Sequence, residues 1–309
     1  MDSLVDNETL STLEGAGSCP KAECRYVLPR LRESAPVYFK QGFVTCGHCG
    51  DRVDLWQAAV DRATRMSSLG AWALCSLGAA QTSFVMSLET GKYYSVELMN
   101  YGVPADAKIL KRGYTGQGGD VTAMEWHGNA PPLRFPGTVL RLVGVPLGEG
   151  PLPRVGRVAI NTVWVRHEDS DEWSYLVTAF ESAAAGDYAP SLVFAQSAVE
   201  ISMMPLIEQK FRRHASAEHV KNFMRDSLSY SHALNVVLPN LCAEAGLGRM
   251  PDVVRGSLNK MRKKRNDIIH EGTEVAAVTA QDAMEGLCAA AFGFEYMRYV
   301  GPILLEGKK

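Results

Sequence analysis

The chain lacks a long apolar run. Its least polar stretch, SSLGAWALCSLGAA at 67–80, is shorter than the roughly 20 residues that a membrane-spanning helix needs. The first fifteen residues are acidic and contain no apolar core, so they do not have the pattern of a secretory signal peptide. We therefore expect a soluble, cytoplasmic protein with no membrane contact.

The chain also lacks a strong net charge. A formal charge of −2 over 309 residues argues against a protein that binds nucleic acid over its whole surface. One segment differs from this average, because twelve Lys and Arg stand against six Asp and Glu between Gln209 and Glu271, which gives about +6. If the protein contacts a polyanion, we expect the contact to lie in this basic segment.

Several catalytic patterns are absent from the sequence. The Gly-rich stretch GYTGQGGD at 113–120 lacks the Lys-Ser/Thr ending of a phosphate-binding loop, and we interpret it as a turn. The acidic stretch HEDSDEW at 167–173 lacks the spacing of an EF-hand calcium loop and is interpreted as a solvated turn. No Ser-His-Asp arrangement stands out.

The length favours more than one domain, and a composition of 46% hydrophobic and 21% charged residues is enough to build a core. We predict a multidomain α+β protein in three parts. Residues 1–80 form a cysteine-rich segment followed by a helix, which Asp51 caps. Residues 81–182 form an antiparallel β-sandwich, and residues 188–309 form an α-helical bundle.

The sandwich prediction depends on short apolar runs between Gly- and Pro-rich breaks. SFVMSLE and YYSVEL flank a Thr-Gly-Lys turn and predict a hairpin. The four further predicted strands are AKILKRGYT (107–115), TVLRLVGV (138–145), RVAINTVWVRH (157–167) and WSYLVTAF (173–180).

From about Pro190 the apolar period becomes helical. We predict helices at 190–213, near 217–246 with a break around Asp226–Ser231, at 252–271 and at 279–298. Pro205 is expected to kink the first of these or to interrupt its hydrogen bonds. The connections are short, so neighbouring helices should pack antiparallel.

The cysteines fall into two groups. Cys75, Cys242 and Cys288 are isolated in apolar surroundings and are interpreted as buried core residues. The other four lie as Cys-x4-Cys and Cys-x2-Cys, and they are Cys19, Cys24, Cys46 and Cys49. Two such pairs suit a structural tetrahedral Zn²⁺ site in a zinc-ribbon-like fold. The wider first pair leaves open whether both of its cysteines bind or whether His48 substitutes for one.

The stretch SLNKMRKKRNDIIHEG at 257–272 carries the strongest pattern in the chain. Arg265 falls near the apolar face of a predicted helix, Asn266 follows it, and His270 lies in the last turn before Gly272. His exchanges protons near neutral pH, and Arg binds phosphate with two parallel hydrogen bonds. The basic run that leads into the motif gives candidate RNA-binding residues, namely Lys260, Arg262, Lys263 and Lys264.

Spacing alone does not single out this pair. Arg212 and Arg213 stand at a comparable distance from His219, as Arg225 does from His232. A structural alternative also remains, in which Arg265 forms an ion pair with Asp267 or Glu271 and His270 is an ordinary residue at a helix end. Glu200, in the first helix of the bundle, either points inward toward the Arg or forms a surface ion pair.

RNDIIHEG in the penultimate predicted helix resembles the signature of the HEPN superfamily, in which an Arg is followed by a polar residue and four to six residues separate the Arg from a His. The resemblance covers about 190–300 and implies a helical bundle that forms a homodimer or a higher oligomer. It further implies that Arg265 and His270 are catalytic, that Asn266 supports them, and that each protomer supplies one motif to a shared cleft.

The reaction that the resemblance implies is metal-independent RNA cleavage, which leaves a 2′,3′-cyclic phosphate and a 5′-hydroxyl. It also implies a role as a toxin or antiphage effector, controlled by a regulatory partner or a phage-derived trigger. Two other functions stay open. One is a non-catalytic dimerisation or partner-binding module with a sensing sandwich, and the other is a zinc-dependent regulator that binds nucleic acid.

Overall fold

The computed structural model describes residues 16–65, 79–126, 138–166, 172–270 and 278–306. Over these ranges the protein is a mixed α+β structure with antiparallel sheets and a cysteine cluster near its N-terminal end. It divides into two compact units. The β unit comprises described residues of Ala79–Ser170, and the helical unit comprises those of Glu14–Gly78 and Asp171–Lys309. The cysteine segment thus belongs to the same unit as the C-terminal helices.

The N-terminal part of the helical unit contains helix α1 (Leu31–Gln41), strands β1 (Val44–Thr45) and β2 (Arg52–Val53), and helix α2 (Leu55–Arg65). The predicted N-cap of α2, Asp51, is wrong, because it lies three residues before the observed cap. Asp54, not Asp51, accepts the backbone N–H of Trp56 at 3.0 Å and the hydroxyl of Tyr38 at 3.2 Å. An Asp directly before the first turn satisfies a backbone donor that has no partner within the helix.

The β unit contains two three-stranded antiparallel sheets. In chain order the strands are β3 (Ala80–Glu89), β4 (Tyr93–Glu97), β5 (Ala107–Gly118), β6 (Val121–Glu125), β7 (Val139–Pro146) and β8 (Val155–Arg166). The sheet orders are β3-β8-β5 and β4-β7-β6. One apolar cluster takes buried side chains from every one of these strands, including Phe84, Val96, Ile109, Val121, Leu142 and Ile160.

The predicted hairpin between SFVMSLE and YYSVEL is wrong. β3 pairs with β8 and β4 pairs with β7, so the turn at Thr90–Lys92 carries the chain from one sheet to the other. The pairing of β3 with β8 extends over ten residues, which a pairing with the five-residue β4 cannot match. The interpretation of 113–120 as a turn is wrong for most of that stretch, because β5 continues to Gly118 and only two residues separate it from β6, a strand that was not predicted.

The strand predicted at 173–180 is also wrong, because Glu172–Ala184 forms helix α3. Its large buried side chains are Trp173, Leu176, Val177 and Phe180. Their spacing of three, one and three residues is the period of a helix face. The aromatic and β-branched composition suggested a strand, but packing along one face determines the structure.

The remaining helices are α4 (Tyr188–Phe211), α5 (Ala217–Asp226), α6 (Tyr230–His232), α7 (Leu238–Glu244), α8 (Asp252–His270) and α9 (Ala280–Glu306), with a π-helical turn at Ala233–Val237. The predicted break near Asp226–Ser231 is confirmed. Pro205 does not interrupt α4. It lies on the exposed side of α4, where water can bind the carbonyl that its missing N–H leaves unpaired.

Helix α9 is the centre of the helical unit and contacts α1, α2, α3, α4 and α8. Glycines allow its closest approach to α4, since a Cβ added at Gly286 would lie 2.3 Å from Leu192 Cδ2. In the described part of the chain, α4 is the one helix with the length and apolar composition of a membrane span. Half of its most apolar window is buried within the fold, and core helices share this combination of properties.

Helix α9 also buries one carboxylate. Glu295 is only 4% exposed, and its Oε1 has no hydrogen-bond partner among the described residues. Burial raises the pKa of Glu295 from 4.5 to about 7, although the guanidinium groups of Arg298 and Arg32 oppose the shift. The folded state therefore holds a proton that the unfolded chain releases at lower pH.

Because the folded-state pKa is the higher one, the free energy of unfolding should fall as the pH rises from about 4.5 to about 7. The loss is on the order of 3 kcal/mol. We expect Glu295→Gln to stabilise the protein at pH 8 by up to this amount and to change little at pH 5, as measured by urea unfolding. Glu285→Gln, on the same helix, is the control. Equal effects of Glu295→Gln at the two pH values would contradict the assignment.

Candidate functional site

The first pair of cysteines lies on a short loop closed by backbone hydrogen bonds. Ser18 and Val27 form an antiparallel bridge, and the N–H of Cys19 donates to the carbonyl of Tyr26 at 2.8 Å. Cys24 follows a tight turn, in which its N–H donates to the carbonyl of Lys21 at 2.9 Å. The four intervening residues are thus folded back, which brings the two thiols to the same side of the loop.

The second pair lies on the turn between β1 and β2. The N–H of Cys46 donates to the carbonyl of Asp51 at 2.9 Å, and the N–H of Gly50 donates back to the carbonyl of Cys46 at 3.0 Å. Gly50 has a φ of +76°, which a residue without Cβ adopts at little cost. The backbone N–H of Cys49, together with that of His48, lowers the pKa of Cys46 to about 7. At Cys46 the turn therefore favours the thiolate, the form that binds metal. On the same turn the backbone N–H of Asp51 opposes a rise in the pKa of Cys49, but burial and the neighbouring thiols together raise it.

The two loops bring all four sulfur atoms together. The Sγ atoms of Cys19 and Cys49 are 3.7 Å apart, as are those of Cys24 and Cys46. All four Sγ atoms lie within 4.8 Å of one another. A tetrahedral ion with Zn–S bonds of about 2.3 Å requires sulfurs about 3.8 Å apart. These four cysteines fit a metal such as zinc.

His48 takes a different role from the ligand role that the sequence left open for it. Its ring stacks on that of Tyr26, with centroids 6.0 Å apart and planes 13° from parallel. An ion pair of 3.1 Å between Lys21 and Asp51 also joins the two loops. The rings and the ion pair connect the loops from outside the sulfur cluster.

The cysteine loops are packed against the helices of their unit. A Cβ added at Gly17 would lie 2.6 Å from the carbonyl oxygen of Ala58 in α2. Trp56 of α2 and Tyr38 of α1 both meet Phe292 of α9 edge-on, at 5.4 Å and 5.7 Å between ring centroids. Order in the loops is thereby coupled to the position of the central helix.

Helix α8 carries the Arg-Asn-x3-His motif. Val254, Leu258 and Met261 are buried on its inner face and pack it against α4 and α9. His270 is the last residue of the helix. The side chain of His270 and all of Gly272, the predicted helix-ending residue, lie outside the described part of the structure.

Arg265 is half-buried on α8, and its Nη1 donates to Oδ1 of Asn266 at 3.2 Å. Among the residues that the structure describes, no acidic side chain forms an ion pair with Arg265. Glu271, one of the two acids that the structural alternative offered as a partner, lies outside the described residues. The guanidinium retains donors for a ligand.

The competing arginines are in a different situation. Arg212 binds Glu208 at 2.6 Å, and Arg225 binds Asp226 at 2.6 Å. Both arginine side chains are more than half exposed. Exposed ion pairs of this kind are ordinary surface features. Arg212 and Arg225 thus form ion pairs with acids, and this distinguishes them from Arg265. The spacing between Arg and His in the sequence did not distinguish them.

The four predicted RNA-binding residues differ in their surroundings. Lys260 and Lys263 are exposed. Lys264 is bound to Asp282 of α9 at 2.7 Å, and this Asp also accepts the hydroxyl of Thr279 at 2.8 Å. The Nε atom of Arg262 is buried and has no hydrogen-bond partner among the described residues. Only the two exposed lysines are ready for contact with a polyanion.

Tyr230 lies in the interior close enough to Glu200 and Arg262 to be affected by their charges. Of these three residues, the sequence had not singled out Tyr230. The hydroxyl of Tyr230 is buried without a partner in the described structure. Burial and the carboxylate of Glu200 raise the pKa of Tyr230, whereas the guanidinium of Arg262 lowers it. The carboxylate of Glu200 in α4 thus acts electrostatically on a buried tyrosine, and no contact between Glu200 and Arg265 is seen in the described residues. No periodicity marked Tyr230, because it follows a helix break.

An amide pair joins α8 to the π-helical turn. Asn235 and Asn259 exchange hydrogen bonds of 3.0 Å and 2.9 Å through their side chains. Arg255 donates to the same Asn235 oxygen at 3.4 Å. The π-helical turn inserts one residue into the helix, and such turns often occur at functional sites. The pair fixes α8 one to two turns before the motif.

Comparison of the chain with protein-family models, with curated proteins and with solved structures finds no match to any of them.

Proposed function

We propose that the protein is a metal-independent endoribonuclease of the HEPN type, with Arg265 and His270 as catalytic residues and Asn266 as their support. The observation that supports this most is the half-buried guanidinium of Arg265, bound to Asn266 and free of an acidic partner in the described structure. An always-charged group held in this state at the end of a packed helix is suited to bind an anion.

The chemistry proposed for the site is transesterification within RNA. The 2′-oxygen bonds to phosphorus, and the bond from phosphorus to the 5′-oxygen breaks. The 2′-hydroxyl gives up one proton and the departing 5′-oxygen takes up another, and His270 is proposed to handle these transfers near neutral pH. Arg265 stabilises the extra negative charge on the phosphoryl oxygens during the reaction.

Dimerisation is part of the proposal, because one motif provides a single histidine for two proton transfers. Ile269 lies one turn from Arg265 on α8 and is 47% exposed. A single exposed isoleucine is an ordinary surface feature, so the dimer rests on the need for a second histidine and on the sequence resemblance. A role in antiphage defence or toxicity and the HEPN topology of the helical bundle rest on the sequence resemblance, whereas the cytoplasmic location and the β-sandwich rest on the sequence patterns described first.

The cysteine cluster supports zinc as a structural component of this protein, with no role in the cleavage step. Its four sulfurs leave no ligand position open for water. The same geometry favours the second candidate function, a zinc-dependent regulator that binds nucleic acid. An RNA cleavage assay distinguishes the two functions, because the nuclease cleaves RNA and the regulator only binds nucleic acid.

The test is cleavage of a single-stranded RNA by wild-type protein and by Arg265→Ala. We expect the variant to be about 100-fold slower, because one charged donor to the transition state is removed. Arg212→Ala is the matched control, since it removes an arginine whose partner is Glu208, and its rate should equal that of the wild type. No cleavage by any of the three proteins would favour the binding functions.

A further inference from the structure

One face of the sheet β4-β7-β6 does not contribute to the apolar cluster of the β unit. The register sets its residues in two rows across the three strands. The first row consists of Tyr93, Val143 and Met124, and the second consists of Ser95, Arg141 and Trp126. We call these six residues the outer patch. Residues that alternate with them, such as Val96 and Leu142, are buried in the cluster.

The outer patch exposes large side chains that burial would normally remove from water. Tyr93 is 66% exposed, Met124 57% and Trp126 46%. The rings of Tyr93 and Trp126 meet edge-on, with centroids 5.2 Å apart. Contact between the two rings limits their motion, so each ring already has a fixed face available to a ligand.

Arg141 is the one charged residue among the six of the outer patch, and it is exposed on the central strand, next to Trp126. Glu125 precedes Trp126 in the chain, but it points to the opposite face, where it forms an ion pair with Arg112. Glu97 is exposed two residues after Ser95, on the same face of β4. Residues 79–170 carry nine Lys and Arg against eight Asp and Glu, which is +1. The positive charge that the outer patch offers to a phosphate is therefore local to Arg141.

We propose that the outer patch binds single-stranded nucleic acid, with unpaired bases stacked on Tyr93 and Trp126 and a phosphate held by Arg141. Two aromatic faces on a sheet beside an arginine are the arrangement that binds unpaired bases. Paired bases cannot reach the rings, so duplexes are excluded. The inference concerns residues outside the proposed catalytic motif and holds whether or not the protein cleaves RNA.

The test uses the full chain carrying His270→Ala, so that bound RNA stays intact. Its affinity for a fluorescent single-stranded oligonucleotide and for the matching duplex is measured by anisotropy. Tyr93→Ala and Trp126→Ala should each weaken binding of the single strand by about 5- to 100-fold, as expected for the loss of one base–aromatic stack. Trp126→Phe keeps an aromatic ring and should retain most of the affinity.

Leu152→Ala is the matched control, because Leu152 is 62% exposed in the same unit but lies outside the outer patch. Thermal unfolding checks that every variant is folded. Unchanged affinity in both alanine variants would overturn the proposal, and so would an equal loss in Leu152→Ala. Duplex bound as tightly as the single strand would overturn stacking as the mode of binding. If the alanine variants bind RNA normally but lose self-association, the patch is a protein interface instead.

Discussion

His270→Ala is expected to slow RNA cleavage by about 10²- to 10⁴-fold, the range for loss of a group that transfers protons. Folding should be unaffected, because the substitution falls at the last residue of α8, beyond its buried positions Val254, Leu258 and Met261. The rate of the wild type should depend on pH, because a group that transfers protons is active in only one protonation state at each step. The residual rate of the variant should have lost this dependence.

The matched control is His219→Ala. His219 stands at a comparable distance from an arginine in the sequence, but it lies in the first turn of α5, where its backbone N–H donates to the Ser216 hydroxyl. Its side chain has no part in the proposed reaction, so the cleavage rate should equal that of the wild type. A rate within twofold of wild type in His270→Ala, or an equal loss in His219→Ala, would show that the site lies elsewhere.

Loss of the metal should have the largest effect on stability. Cys46→Ser removes one of four sulfurs and should abolish stoichiometric zinc, measured by metal analysis of the purified protein. Binding of zinc to small structural sites contributes about 10–16 kcal/mol to their folding. The loops also contact α2, and α1 and α2 pack on α9 through Tyr38 and Trp56. We therefore expect the helical unit to lose several kcal/mol of stability.

The control for the metal prediction is His48→Ala. In the structure His48 stacks on Tyr26 and is not among the clustered ligands. It should retain zinc in full. Retention of zinc by Cys46→Ser, or its loss from His48→Ala, would contradict the four-cysteine site. Wild-type protein without bound zinc after purification from zinc-containing medium would contradict it as well.

The cysteine cluster was predictable because its information is local. A Cys-x2-Cys turn closes on itself whatever the rest of the fold does, and the structure then folds the longer Cys19–Cys24 loop back in the same way. The ligand set needed the structure, because the exclusion of His48 follows from its stacking on Tyr26. The spacing of the cysteines in the sequence does not reveal a contact of that kind.

Predictions from composition were wrong where tertiary packing determines the secondary structure or the pairing of strands. WSYLVTAF has the composition of a strand, but its buried residues follow the period of a helix face. The SFVMSLE and YYSVEL strands are neighbours in sequence, and yet each pairs with a strand more than 40 residues away in the chain. Long-range pairing of this kind has no local mark. The helices predicted at 190–213 and 252–271 lie within two residues of those bounds, but α9 continues to Glu306, eight residues beyond its predicted end.

The surroundings of the motif were the least predictable part of the candidate site. The sequence supplied Arg265 and Asn266, which lie in contact, and it left the ion-pair state of the arginine open. Tyr230 and the amide pair of Asn235 with Asn259 depend on a π-helical turn. An inserted residue shifts every later side chain around the helix, so periodicity before and after the turn does not reveal which side chains face α8.

The most direct measurement is the chemical identity of the RNA ends that the wild-type protein leaves. The reaction should contain enough EDTA to remove free Mg²⁺ and Mn²⁺, with metal analysis confirming that the zinc content of the protein is unchanged. We predict 2′,3′-cyclic phosphate and 5′-hydroxyl ends, formed at the same rate with and without the chelator. Ends with a 3′-hydroxyl and a 5′-phosphate, or cleavage that requires added divalent metal, would contradict the proposed chemistry.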